Sequence, residues 1–177
     1  MDEILTRPDW RTWFMELAFV TAKRGSCRRK QVGAIIVRDR DKAVVSGGYN
    51  GAPAGMPDCL EVGCEMRMVG DKESCVRTIH AESNALDRAG PMNEPHTMYC
   101  TVIPCRDCAL RIIQNGWIKK VIYAEWYESR NSKDTEALFG TRDADTIAAM
   151  TKRWGRPEET GWVPTPRVEL VQMFWPA

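Results

Sequence analysis

Apolar positions near the start of the chain recur three and four residues apart. Trp10, Trp13, Phe14, Leu17 and Val20 share one side of a helix. Pro8-Asp9 supplies a start signal and Gly25 lies just past the end, so the spacing predicts a helix over residues 9–23. The period then changes. Residues 32–37 (VGAIIV) are almost continuously apolar and rich in β-branched side chains, which marks a buried strand. The charged RDRDK segment turns the chain, and residues 43–46 (AVVS) read as the hairpin partner. Residues 47–59 (GGYNGAPAGMPDC) carry glycines and prolines that demand a loop, and residues 60–79 read as irregular. Further on, the pattern predicts a helix over 80–90, a strand over 97–103 and a helix over 105–115, opened by Pro104 and stopped by Gly116. A strand over 120–124, a helix over 135–154 bent near Gly140, and an edge strand over 168–173 complete the order. Strands alternating with helices imply parallel crossovers, and the opening hairpin adds an antiparallel portion. The expected fold is α/β: a mixed sheet of about five strands flanked by helices.

Composition narrows the class. A chain of 177 residues suits one domain over 1–177. With 25 Lys+Arg against 24 Asp+Glu there is no global field, so no stable nucleic-acid partner is expected. No apolar run reaches the roughly 18 residues of a membrane span. The opening MDEILTRPDW is acidic and polar, unlike a secretory signal, so the expected compartment is the reducing cytoplasm. Seven cysteines are therefore informative: an odd count leaves one over from any complete disulfide set. They read instead as core thiols, metal ligands or nucleophiles, with Cys100 in TMYCTVI as a core thiol.

Two short segments carry the chemistry. Cys105 and Cys108 stand three apart at a helix start, so their side chains share a face. The positive end of the helix favours thiolate over thiol. His80 also stands at a predicted helix start. Two thiolates and a neutral imidazole suit zinc, and three protein ligands leave a fourth position for water. Glu82 can then carry protons, provided the first turn lets both His80 and Glu82 face the ion. A Cys-x-x-Cys pair alone is also a redox motif or half of a structural zinc site, and a lone His-x-Glu says little. Together, in this order, with Pro104 before the first Cys, they form the zinc deaminase signature.

The blocks CRRKQVGAIIV, SGGYNGAPAG, CLEVGC, HAESNA, PCRDCA and VIYAEWY resemble, in that order, those of the deoxycytidylate deaminase family over residues 8–128. The remainder, with its helix and strand over 132–177, matches no block. The resemblance implies a three-layer cytidine-deaminase-like fold and the hydrolysis of deoxycytidine monophosphate (dCMP) to deoxyuridine monophosphate (dUMP) and ammonia, feeding thymidylate synthesis. It implies zinc on His80, Cys105 and Cys108, with Glu82 passing protons to the ring nitrogen and the departing amine. Asn50 would bond the sugar hydroxyl, although Asn50-Gly51 also reads as a plain turn. Arg28, Arg29 and Lys30 are candidates to neutralise the phosphate, or else solvated charge, and Tyr127 would stand near the site mouth. Cys27, Cys59, Cys64 and Cys75 would hold a second, structural zinc, or else stay reduced, partly buried thiols; His96, at a predicted strand start, reads as structural or as a substitute ligand. Family regulation implies a homo-oligomer, a hexamer, activated by dCTP and inhibited by dTTP, with Mg2+ accompanying the triphosphate. Leu86, Asp87, Arg88 and the early Gly90-Pro91 stop depart from the family pattern in the helix where regulatory residues are expected. The alternatives are a superfamily deaminase acting on dCTP, a free nucleoside, a tRNA adenosine or a riboflavin precursor, and a catalytically silent zinc-binding interaction module. The SGGYNGAPAG and CLEVGC blocks speak against the free nucleoside, the tRNA adenosine and the riboflavin precursor, leaving dCTP open, and the presence of Glu82 speaks against the module.

Overall fold

A computed structural model describes residues 7–69, 72–126, 135, 138, 139 and 168–175. Helix α1 (Trp10–Ala22) starts where Asp9 accepts hydrogen bonds from the Arg11 and Thr12 N–H groups, satisfying donors that the first turn leaves open. β1 (Gly33–Arg38) and β2 (Val44–Tyr49) form an antiparallel hairpin. β5 (His96–Val102) lies antiparallel to the other edge of β1. β6 (Ile118–Glu125) and β7 (Glu169–Gln172) continue in parallel. The described residues thus form a five-stranded mixed sheet in the order β2-β1-β5-β6-β7.

Alternation along β1 sorts side chains into two cores. Ile35 and Val37 pack with Phe14, Met15, Ala18 and Tyr99 beneath α1. Ala34 and Ile36 pack on the opposite face with Ala81, Ala85, Ala109 and Ile112, from α3 (Ala81–Arg88) and α4 (Arg106–Asn115). Helix, sheet and helices make the three layers. Glycine permits the closest approaches: a Cβ on Gly33 would lie 2.1 Å from the Ala18 carbonyl oxygen, and one on Gly48 would lie 2.2 Å from that of Ala81. Cys100 is fully buried, and burial pushes its thiol well above the usual range, as a core thiol should be.

Two expectations are corrected. β2 extends through Gly47, Gly48 and Tyr49 instead of entering a loop at residue 47, because β1 pairs with Gly47 and Gly48 and α3 packs directly on Gly48. Residues 60–79 are not wholly irregular: α2 (Cys59–Val62) is followed by the antiparallel pair β3 (Met66–Val69) and β4 (Lys72–Cys75). Of the expected helix over 135–154, Thr135, Leu138 and Phe139 are helical, and the rest lies outside the described residues. No helix among the described residues is long and apolar enough to cross a membrane.

Candidate active site

The site forms where α3 and α4 begin. His80 and Cys105 are the residues immediately before these helices, both with extended backbone, so each side chain projects beyond a helix end. Cys108 follows within the first turn of α4 and is buried. The His80 Nδ1 lies 3.3 Å from Cys105 Sγ and 3.5 Å from Cys108 Sγ, and the three donor atoms lie within 4.8 Å of one another. A tetrahedral zinc with bonds of about 2.3 Å to sulfur and 2.0 Å to nitrogen puts those atoms about 3.5 Å apart. The donor set and its spacing therefore fit one zinc ion.

Electrostatics couple these groups to one another. Cys105 is held down by its hydrogen bond with Cys108 and, after burial opposes, by that with His80, and the same Cys105 contact together with burial pushes Cys108 up. His80 is pushed up to about 9, chiefly by the same bond to Cys105. Glu82 sits in the first turn of α3 at 3 % exposure, and burial raises its carboxyl above the usual range. A carboxyl that protonates readily beside two sulfurs and an imidazole can accept and return a proton.

The loop after β2 is tied to this corner. Gly51 and Ile79 exchange backbone hydrogen bonds of 3.1 and 2.9 Å, and Asn84 Nδ2 donates to the Tyr49 carbonyl at 2.8 Å. Asn50 is buried, and its amide is engaged by main chain: Oδ1 accepts from Val32 N–H at 2.9 Å and Nδ2 donates to the Lys30 carbonyl at 2.8 Å. Of the candidate phosphate contacts, Lys30 pairs with Glu125 and Arg28 donates to the Leu60 carbonyl at 2.9 Å. Tyr127 lies outside the described residues.

A second cluster gathers Cys59, Cys64 and Cys75, with all three sulfurs within 4.8 Å of one another and Cys59 and Cys75 at 3.7 Å. Ligands of one tetrahedral zinc–thiolate centre would stand about 3.8 Å apart. Burial, followed by the contact with Cys75, pushes Cys59 up to about 12. Cys75 goes the other way: despite burial, the backbone N–H of Arg77 and the neighbouring Cys59 thiol lower it. Cys27 does not join this group, and His96 instead places Nδ1 2.6 Å from the Glu94 carbonyl oxygen. Sequence reasoning passed over two residues here. Arg77 donates to the Pro57 carbonyl at 3.3 Å and pairs with Glu65 at 3.6 Å. Ser83 buries its hydroxyl 3.8 Å from Cys108 Sγ. Neither has a sequence signal, because their partners are distant in the chain.

A family model described as the cytidine and deoxycytidylate deaminase zinc-binding region matches residues 8–125. The deoxycytidylate deaminase of Saccharomyces cerevisiae is 38% identical over 128 residues, covering 70% of this chain and 40% of the yeast protein. The chain thus spans about two-fifths of the length of that relative. The deoxycytidylate deaminase of Mycobacterium phage D29 is 39% identical over 132 residues, covering 67% of this chain and 97% of the phage protein. Among solved structures, the dCMP deaminase of cyanophage S-TIM5 in complex with dCMP and dUMP aligns with a TM-score of 0.60 at 26% identity, covering 96% of this chain and all of that one.

Proposed function

The chain belongs to the cytidine and deoxycytidylate deaminase zinc-binding family, and from that premise we propose that it hydrolyses dCMP to dUMP and ammonia. The observation that carries the proposal is the buried Glu82 carboxyl in the same helix turn that follows His80, beside the sulfurs of Cys105 and Cys108. The likeness to a structure solved with dCMP and dUMP supports the substrate. His80, Cys105 and Cys108 would hold the zinc, which when bound supplies a Lewis acid able to lower the pKa of water to about 7.

The chain's own groups do the rest. Glu82 takes a proton from the attacking water and passes it to ring nitrogen N3; it then takes the remaining proton of the hydroxyl formed on C4 and delivers it to the departing amine, as the C–N bond breaks and the C4 carbonyl forms. Its burial serves this task, because a desolvated carboxyl gains and loses a proton nearer neutrality than an exposed one. Asn50 holds residues 30–32 in place through both ends of its amide, and its remaining N–H and lone pair are free in principle to meet a sugar hydroxyl. Lys30 would meet the phosphate by exchanging its partner Glu125, an exposed pair whose loss costs about 1 kcal/mol or less.

The same reading treats the chain as one deaminase domain. It places a second, structural zinc on Cys59, Cys64 and Cys75, a centre that Cys27 would have to move to join as the fourth ligand. Assembly into a homo-hexamer, dCTP activation and dTTP inhibition with Mg2+, and a cytoplasmic location are carried by family resemblance. A steady-state ultraviolet assay with dCMP, dCTP and deoxycytidine, each with and without a triphosphate effector, tests the substrate. The expected result is a turnover preference for the monophosphate. Equal or greater turnover of deoxycytidine or dCTP would overturn the assignment.

A further inference from the structure

We propose that Ser83 is a positioning residue of the metal centre: its hydroxyl donates a hydrogen bond to the Cys108 sulfur, orients it and moderates the charge it gives the ion. The inference rests on the reading of His80, Cys105 and Cys108 as zinc ligands. Its basis is an asymmetry between the two sulfurs. Cys105 is partly exposed, so water can solvate its thiolate, whereas Cys108 is 3 % exposed. A buried thiolate is costly unless protein donors replace water. Ser83 Oγ, itself buried, lies 3.8 Å from Cys108 Sγ, within reach of a bond to the large sulfur atom. A thiolate only accepts, so the hydroxyl is the donor.

The competing use of that hydroxyl is weakened. A helical serine commonly bonds the carbonyl four residues back, which here belongs to Ile79. That carbonyl already accepts the Gly51 N–H at 3.1 Å, in the bridge that ties the loop to the site. Ser83 also directly follows Glu82 in the first turn of α3, and Cys108 stands in the first turn of α4. One hydrogen bond therefore couples the helix bearing the proton carrier to the helix bearing the thiolates. Groups that bond metal ligands from behind typically alter metal affinity by about 10–100-fold when removed.

The test uses the full chain loaded with cobalt(II), whose thiolate-to-metal charge-transfer absorption reports on sulfur. The part of that absorption lost in Cys108→Ser belongs to this centre and separates it from the second cysteine cluster. Ser83→Ala is expected to move that band to lower energy, because a thiolate freed of its donor gives up charge more easily. It should also lose cobalt to a competing chelator at about tenfold lower chelator concentration. Ser83→Thr, which keeps the hydroxyl, should restore both. An unmoved band and unchanged retention in Ser83→Ala would overturn the inference, as would failure of Ser83→Thr to restore either. If no part of the wild-type band depends on Cys108, the ligand assignment itself fails.

Discussion

Glu82 and Asn50 are both buried polar residues beside the site, yet the structure gives them opposite relations to their surroundings. Glu82 is desolvated beside the His80, Cys105 and Cys108 trio, a setting that raises its carboxyl. Glu82→Gln should keep the zinc content, measured by metal analysis, while turnover falls by about 10²–10⁴-fold; near wild-type turnover would remove the proton-carrier role. Asn50, by contrast, is a main-chain clip between residues 30 and 32. Asn50→Asp keeps the acceptor for Val32 but sets a carboxylate oxygen against the Lys30 carbonyl. The expected loss is about 1–3 kcal/mol of stability, the cost of an unsatisfied buried group, read from the denaturant midpoint. An unchanged midpoint would show that the clip holds nothing. The metal trio was legible in the sequence because its spacing is local to two helix starts. The clip was not, since Lys30 and Val32 lie 20 and 18 residues from Asn50, a relation created only when β1 and β2 pair.

At the scale of elements, α3 aims both His80 and Glu82, and its position depends on a glycine in the strand below. A Cβ on Gly48 would meet the Ala81 carbonyl oxygen at 2.2 Å and the Ala85 nitrogen at 2.4 Å. These are backbone atoms with no rotamer escape, so Gly48→Ala must push the helix away from the sheet. We expect a destabilisation of about 1–3 kcal/mol, as in other overpacked cores. A disproportionate fall in turnover should accompany it, since Ala81 sits between the two functional side chains; thermal unfolding and steady-state kinetics together read both. A variant with wild-type stability and rate would show that α3 is not seated on β2 in this way. The same glycine explains a misreading. GGY was read as the entry to a loop because glycine usually weakens a strand, whereas here the missing side chain of Gly48 is what lets α3 approach. β1, β5 and β6 were legible from their apolar, β-branched runs, and α1 and α4 from their start signals. β3 and β4 escaped notice because β3 is exposed along its whole length. With neither face buried, nothing selects an alternating pattern.

Across the whole molecule, stability is unevenly distributed between the layered sheet and the excursion over residues 56–76. Met66, Met68 and Val69 of β3 are all exposed, and among the described residues β3 pairs with β4 alone. An isolated two-stranded hairpin is marginal in water, so other contacts must hold it. Those described are the capping box at Asp58, the Arg28 bond to Leu60, the Arg77 contacts to Pro57 and Glu65, and the Cys59, Cys64 and Cys75 cluster. The cluster joins α2 to the end of β4, and a bound metal there would close the loop between them. Cys64→Ser should therefore lower the zinc content from two ions per chain to one. It should speed amide hydrogen exchange within residues 58–76 and leave β1, β5 and β6 protected, because sparsely packed units open below the global unfolding energy. The Gly51 and Ile79 bridge stands between the excursion and His80, so the loosening should stop there and kcat should hold. Exchange that rises equally across the sheet would show instead that the cluster supports the whole fold. Unchanged zinc content would mean that the three thiols share space without holding an ion.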